Sequence, residues 1–379
     1  MRDVLGSRRV RFRAVRPVYG LGIFIPIAIA LELAHAPAVL VFAAAALGVI
    51  PCAALMGTAT EELAARTGPG IGGFLNVTFG NAPELIIAFF ALKEGLHEVV
   101  KASIVGSVIG NVLLVLGAAM LVGGIGREKQ TFNRTAANAQ SAMLLLALVA
   151  LILPALFQLI HGGGLPPVGA GAEAGGEAEF IDFGSDLERL SLGVAIVLML
   201  SYGLGLVFSM KTHRDLFNPY EEHHEGGWSV GKAAGLLAVS AVAVGVMSEI
   251  LVGSISEASE DVGLSSFFVG VFVVAIVGNA AEHWVAVLVA AKDKMDLAVN
   301  IAVGSSAQIA LFVAPILVIL SFFVGPGPMA LVFNGYELGA LVFAVVIANF
   351  LTQEGESNWF EGVQLLAVYA VFGLVFYFA

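Results

Sequence analysis

From residue 18 to the end, the chain is a series of long apolar runs, broken at short intervals by clusters of Gly, Pro and charge. A helix needs about 20 apolar residues to cross the hydrocarbon core of a bilayer. By that measure the sequence predicts eleven spans, at 18–34, 38–60, 71–93, 98–124, 136–160, 190–210, 231–256, 265–291, 297–323, 329–351 and 358–378. Spans two and seven run on into acidic ends. A transmembrane barrel would instead alternate in segments of about ten residues, and no such alternation is present. The expected fold class is an all-α polytopic membrane protein.

Composition agrees with the pattern. With 59% hydrophobic and 12% charged residues among 379, the chain has too little charged surface for a soluble protein of its size. The lipid bilayer is its expected partner, and no nucleic-acid partner is expected. The single cysteine, Cys52, lies in an apolar stretch and reads as packing. The basic start, "MRDVLGSRRVRFRAVRP", leads into an apolar run with no small-residue cleavage site, so the first span is expected to be retained.

Lys and Arg set the expected orientation. With the N-terminus in the cytoplasm, the inner segments hold six N-terminal arginines plus Arg66, Arg127, Lys129, Arg134, Lys211, Arg214, Lys232, Lys292 and Lys294, or 15 of the 18. Only Lys93, Lys101 and Arg189 fall outside. The C-terminus then faces outward. Residues 161–189, rich in Gly, Pro and acid, read as a flexible outer loop.

A shift of 198 residues superposes Gly80 on Gly278, Asn81 on Asn279 and Glu84 on Glu282, and also Val105-Gly106-Ser107 on Val303-Gly304-Ser305. Over residues 80–116 the shift gives ten identities in 37 pairs. The repeated motifs lie on spans three and eight. Five spans is an odd number, so the two copies cross the membrane in opposite directions, a plan that places a transported ligand near the midplane. The expected organisation is a basic terminus and first span (1–34), one five-helix repeat (35–210), an acidic cytoplasmic linker (211–230) and a second inverted five-helix repeat (231–379).

Glu84 and Glu282 have long apolar flanks, where a charge costs at least a few kcal/mol. Two such groups brought together repel each other as well. They can be relieved by protons or by a divalent cation, and one must leave before the other enters. Carboxylate oxygen suits Ca²⁺, which takes six to eight oxygen ligands in a flexible shell. Asn81 and Asn279, one turn earlier, and Ser107, Ser305 and Gln308 on the following spans, are candidates for further oxygens. Gly80 and Gly278 are positioned to loosen the helix before each carboxylate, and Gly106, Gly110 and Gly304 to admit a close neighbour. Gln308 has no amide counterpart in the first repeat, where Gly110 stands, so the two halves of the site are not expected to be equivalent.

"GNAPELIIAFFALKEG", "GNAAEHWVAVLVA…VGSSAQIALFVAP" and the "FNRTAANAQ" that begins span five resemble the calcium/proton exchanger (CAX) family of the cation/calcium exchanger superfamily. The resemblance covers nearly the whole chain. It implies a Ca²⁺/H⁺ antiporter in a prokaryotic plasma membrane, with no cofactor and no enzyme activity. Glu84 and Glu282 would be the cation- and proton-binding carboxylates, and Asn81, Asn279, Ser107, Ser305 and Gln308 would line their site. A sodium-coupled exchanger and a divalent cation channel are the alternatives.

Three further groups are secondary candidates. Glu61 and Glu257 at span ends, and Glu249 deeper in span seven, are candidates for the ion or proton route. Glu221, Glu222, His223, His224 and Glu225, in "YEEHHE", lack the spacing of a zinc or EF-hand site. The family implies that they form an acidic helix that attracts Ca²⁺ or regulates transport. The sequence leaves oligomeric state open.

Overall fold

The computed structural model describes residues 18–161, 164–168, 185–212 and 227–379. It is a bundle of helices. Among the described residues, nine are long and apolar enough to cross a membrane, and a shorter apolar stretch, Val18–Leu33, leads them. We number the helices α1 (Phe24–Leu33), α2 (Ala38–Gly80), α3 (Ala82–Lys93), α4 (His97–Gly124), α5 (Arg134–Ile160), α6 (Ser185–Val207), α7 (Val230–Gly253), α8 (Ser266–Ala291), α9 (Met295–Ser321), α10 (Gly335–Thr352) and α11 (Trp359–Tyr377). Large apolar side chains such as Leu146, Leu204, Phe343 and Leu374 are well exposed. A membrane bundle has such an outer surface because lipid, not water, surrounds it.

Spans two and three of the sequence reading are not separate helices by hydrogen bonding, which is continuous through α2. They are separate in space. A Cβ built on Gly72 would lie 2.2 Å from the carbonyl oxygen of Ala64, although eight residues advance about 12 Å along a straight helix. The chain therefore folds back between Ala64 and Gly72. Its second limb ends at Gly80, and Asn81 (φ −99°, ψ 20°) breaks it before α3 begins. Pro83 in the first turn of α3 fits that break, because an imide nitrogen there gives up no helical hydrogen bond.

The tenth span begins later than the expected 329. Residues 329–334 are non-helical yet buried, which is tolerated at depth only when the backbone finds partners. Met329 N–H donates to Ser321 Oγ (2.8 Å), Leu331 N–H to Ser191 Oγ (3.0 Å), and Val332 O accepts from Lys101 Nζ (2.8 Å). A capping box of Asn334 and Glu337 then starts α10.

Loops that the order of spans assigns to one face touch one another. On one face, β1 (Gln130–Thr131) pairs antiparallel with β2 (Glu356–Ser357). There Arg127 pairs with Asp293 and Lys129 with Glu356. Trp228 N–H donates to Glu62 Oε2 at 2.9 Å. On the other face Lys93 meets Glu249, and a Cβ at Gly325 would lie 2.4 Å from Leu92 O.

Among the described residues, π turns interrupt three spanning helices, at Gly110–Val115 in α4, Val269–Val274 in α8 and Ile309–Val313 in α9, and a fourth, Phe208–Thr212, follows α6. The first and third correspond under the 198-residue shift. Such bulges are rare and concentrate at functional sites.

Candidate functional site

Helices α3 and α8 cross at their repeated motifs. A Cβ on Gly278 would stand 3.4 Å from Glu84 Cγ, and a Cβ on Gly80 3.8 Å from Glu282 Oε1. Each glutamate therefore stands over the glycine of the other motif. The pairs Gly80–Glu282 and Glu84–Gly278 are exchanged by the repeat shift. A side chain at either glycine would occupy the space that the opposite carboxylate uses.

The helices that follow each motif complete the arrangement. Asn81 Nδ2 donates to Gln308 Oε1 (2.5 Å), and Asn279 Nδ2 to Ser107 Oγ (3.1 Å). Each asparagine of one motif thus holds a residue from the other half of the chain. The partners differ because Gly110 supplies no amide where Gln308 stands, so Asn279 turns to Ser107 and to its own helix at Ala275 O (2.9 Å). Ser305 Oγ donates to Glu282 Oε2 at 3.0 Å. The contacts form three separate pairs, Asn81–Gln308, Asn279–Ser107 and Ser305–Glu282, and Glu84 stands against Gly278.

Each asparagine spends a donor and leaves its acceptor unused. Asn81 Oδ1, Asn279 Oδ1 and Glu84 Oε2 are buried without a hydrogen-bond partner. A buried polar atom left unpaired costs about 1–3 kcal/mol, so three unpaired oxygens around a carboxylate pair form a cradle that favours a cation or protons. Ser107 and Glu84 also line a cavity with Ser103, Ala275 and Ile309. The described residues contain no group of three or more His, Cys, Asp or Glu suited to a metal ion. A cation here would rely on two carboxylates and on amide and hydroxyl oxygen, a hard donor set that suits Ca²⁺ better than a transition metal.

Several expectations need correction. Gly80 does precede a helix break, but Gly278 lies inside the unbroken helical run Ala275–Ala291. Only the first copy has a residue such as Asn81 outside helical geometry. Gly106 and Gly304 admit close neighbours, Val271 O and Gln140 respectively, whereas nothing approaches within 4 Å of a Cβ on Gly110. Glu249 is not deep in its span. The helix ends at Gly253, so Glu249 is one turn from the end, with its side chain 61% exposed beside Lys93. Glu61 and Glu257 are exposed as well. Glu221, Glu222, His223, His224 and Glu225 lie outside the described residues.

One contact had no clear signal in the sequence. His283 Nε2 lies 3.0 Å from Asn111 Oδ1, joining the residue after Glu282 to the π turn of α4. The only trace is that the repeat shift sets His283 against Leu85, a polar residue against an apolar one.

Comparison with known proteins follows the same lines. A family model described as sodium/calcium exchanger protein matches residues 37–211 and 232–378. A Ca²⁺/H⁺ antiporter of Aphanothece halophytica is 44% identical over 376 residues, covering 95% of this chain and 96% of its own. The Ca²⁺/H⁺ antiporter ChaA of Bacillus subtilis (strain 168) is 43% identical, covering 93% and 96%. The solved structure of native YfkE superposes with a TM-score of 0.78 at 40% identity, covering 95% of this chain and 98% of that one.

Proposed function

Because the chain belongs to the sodium/calcium exchanger protein family, we propose that it is a Ca²⁺/H⁺ antiporter built around the Glu84–Glu282 pair. The observation that carries this reading is the reciprocal seating of the two carboxylates, each over the other motif's glycine. Ionised, the pair binds Ca²⁺ with the carbonyl oxygens of Asn81 and Asn279. Protonated, it releases the ion. Because one pocket serves both, Ca²⁺ and protons cross in opposite directions.

The orientation that places most Lys and Arg inside puts the N-terminus in the cytoplasm of a prokaryotic cell, the C-terminus outside, and the direction of export outward. Two five-helix halves, 35–210 and 231–379, alternate access to the pocket. Ser107, Ser305 and Gln308 hold its walls. Glu61, Glu249 and Glu257 act at the mouths of the route, and 220–225 on the cytoplasmic side.

Everted membrane vesicles test the reading. An acid-inside pH gradient drives ⁴⁵Ca uptake, and a sodium gradient of equal size does not. Uptake driven by sodium alone would contradict it, as would Ca²⁺ movement that only ever followed its own gradient.

A further inference from the structure

The cavity beside Glu84 lies to one side of the repeated motifs. On α3 its lining residue Ala88 stands one turn past Glu84, and on α4 Ser103 stands one turn before Ser107. On α8 Ala275 precedes Gly278, and on α9 Val313 follows Gln308. All four are displaced toward the face where Gly325 meets Leu92, at which α3 ends and α4 begins.

The lining is apolar apart from Glu84, Ser103 and Ser107. The two serines are four residues apart, on one face of α4. Ser107 Oγ accepts from Asn279 Nδ2 (3.1 Å), which leaves its own O–H to donate. Ser103 Oγ donates to Val100 O (2.8 Å), which leaves its lone pairs to accept. Glu84 Oε2 is a buried acceptor with no hydrogen-bond partner. The walls thus offer one donor and two acceptors. A serine bonded to its own helix is ordinary; Ser103 is set apart because it shares a cavity with that carboxylate.

One water satisfies all three, donating to Glu84 Oε2 and to Ser103 Oγ and accepting from Ser107. Buried waters typically make about three such bonds. We propose that Ser103, Ser107 and Glu84 hold a water in this cavity, and that this water carries the proton to and from Glu84. In loading, an O–H bond of the water breaks as one forms on Oε2. The water takes its replacement proton from solvent water at the α3–α4 face, and unloading is the reverse. Neither serine gains or loses a proton, so Ser103 is a positioning residue that acts through the water.

The repeat shift sets Ser103 against Ile301, which has no hydroxyl. The water therefore serves one carboxylate of the pair, while Glu282 accepts directly from Ser305 Oγ (3.0 Å). The carrier role rests on the exchange reading, whereas the water site does not.

The test uses the full chain in neutral phospholipid vesicles, with Ser103→Thr and Ser103→Val, which share a shape and differ in the hydroxyl. Infrared difference spectra between acid and alkaline pH, taken in ordinary and in oxygen-18 water, mark the O–H stretch of a bound water by its isotope shift. We expect a component present in the parent and in Ser103→Thr, and absent from Ser103→Val and Glu84→Gln. In the same vesicles, ⁴⁵Ca uptake driven by a pH gradient should slow about a hundredfold in Ser103→Val, the lower end of what a positioned proton carrier contributes. The Ca²⁺ concentration for half-maximal uptake should stay at the parent value, and Ser103→Thr should keep the parent rate. No isotope-sensitive component in the parent, one that survives in Ser103→Val, or equal loss of rate in both variants would overturn the proposal. Should Ser103→Val not fold, Ser103→Ala is read in its place and must show the same losses. Failure of the exchange reading looks different: the parent would show the water component and yet take up no Ca²⁺ under a pH gradient.

Discussion

Glu84 and Glu282 occupy equivalent positions but are held differently. Glu282 accepts a hydroxyl from Ser305, while Glu84 keeps one buried oxygen unpaired. Asn81 and Asn279 each spend a donor across the repeat boundary and leave a carbonyl oxygen unused. Replacing either asparagine with leucine removes one oxygen from the pocket. A contact to a charged group is worth about 1.5–3 kcal/mol, so the Ca²⁺ concentration for half-maximal uptake should rise by roughly tenfold or more. Unchanged Ca²⁺ dependence in both variants would remove the asparagines from the site. Gly278→Val places branched carbon where Glu84 Cγ already stands 3.4 Å from the Cβ position. Transport should be lost in that variant while Gly110→Ala, with nothing within 4 Å, stays near the parent. The glutamates were legible in the sequence because a charge inside an apolar run is costly and this one occurs twice. The burial of Glu98, Lys101 and Glu337 was not, because charges near span ends look interfacial in a sequence.

Helix by helix, the sequence located the spans well where apolar runs end in charge or Gly, as at Gly124 or Ile160. It misplaced the start of α10, because residues 329–334 are largely apolar yet non-helical, and periodicity cannot separate the two. It could not reveal the π turns, since one extra residue in a turn leaves no compositional mark. Close helix contacts lead to a sharper prediction. A Cβ on Gly106 would lie 1.9 Å from Val271 O, within the π turn of α8, and one on Gly72 2.2 Å from Ala64 O. Backbone oxygens cannot swing aside, so Gly106→Ala must push α4 from α8, and Gly72→Ala must open the turn within α2. Overpacking of this kind costs about 1–3 kcal/mol or more. Both variants should show lower thermal midpoints in detergent, and the Gly110→Ala protein should not. Equal midpoints for all three would mean that the helices are not packed as described.

For the molecule as a whole, the central claim is that one pocket, formed where two repeats cross, is shared by a divalent cation and protons. If only Glu84 and Glu282 titrate in the cycle, two protons exchange for each Ca²⁺ and no net charge moves. Uptake should then be insensitive to an imposed potential, whereas one uncompensated charge would couple at about 2.3 kcal/mol per 100 mV. The most direct measurement is the number of protons released per Ca²⁺ bound by the purified protein, read in weakly buffered solution at a pH where the pair is protonated. The account predicts two for the parent, about one for Glu84→Gln or Glu282→Gln where binding persists, and no Ca²⁺-linked release for the double variant. Release that is the same in the parent and the double variant would contradict it.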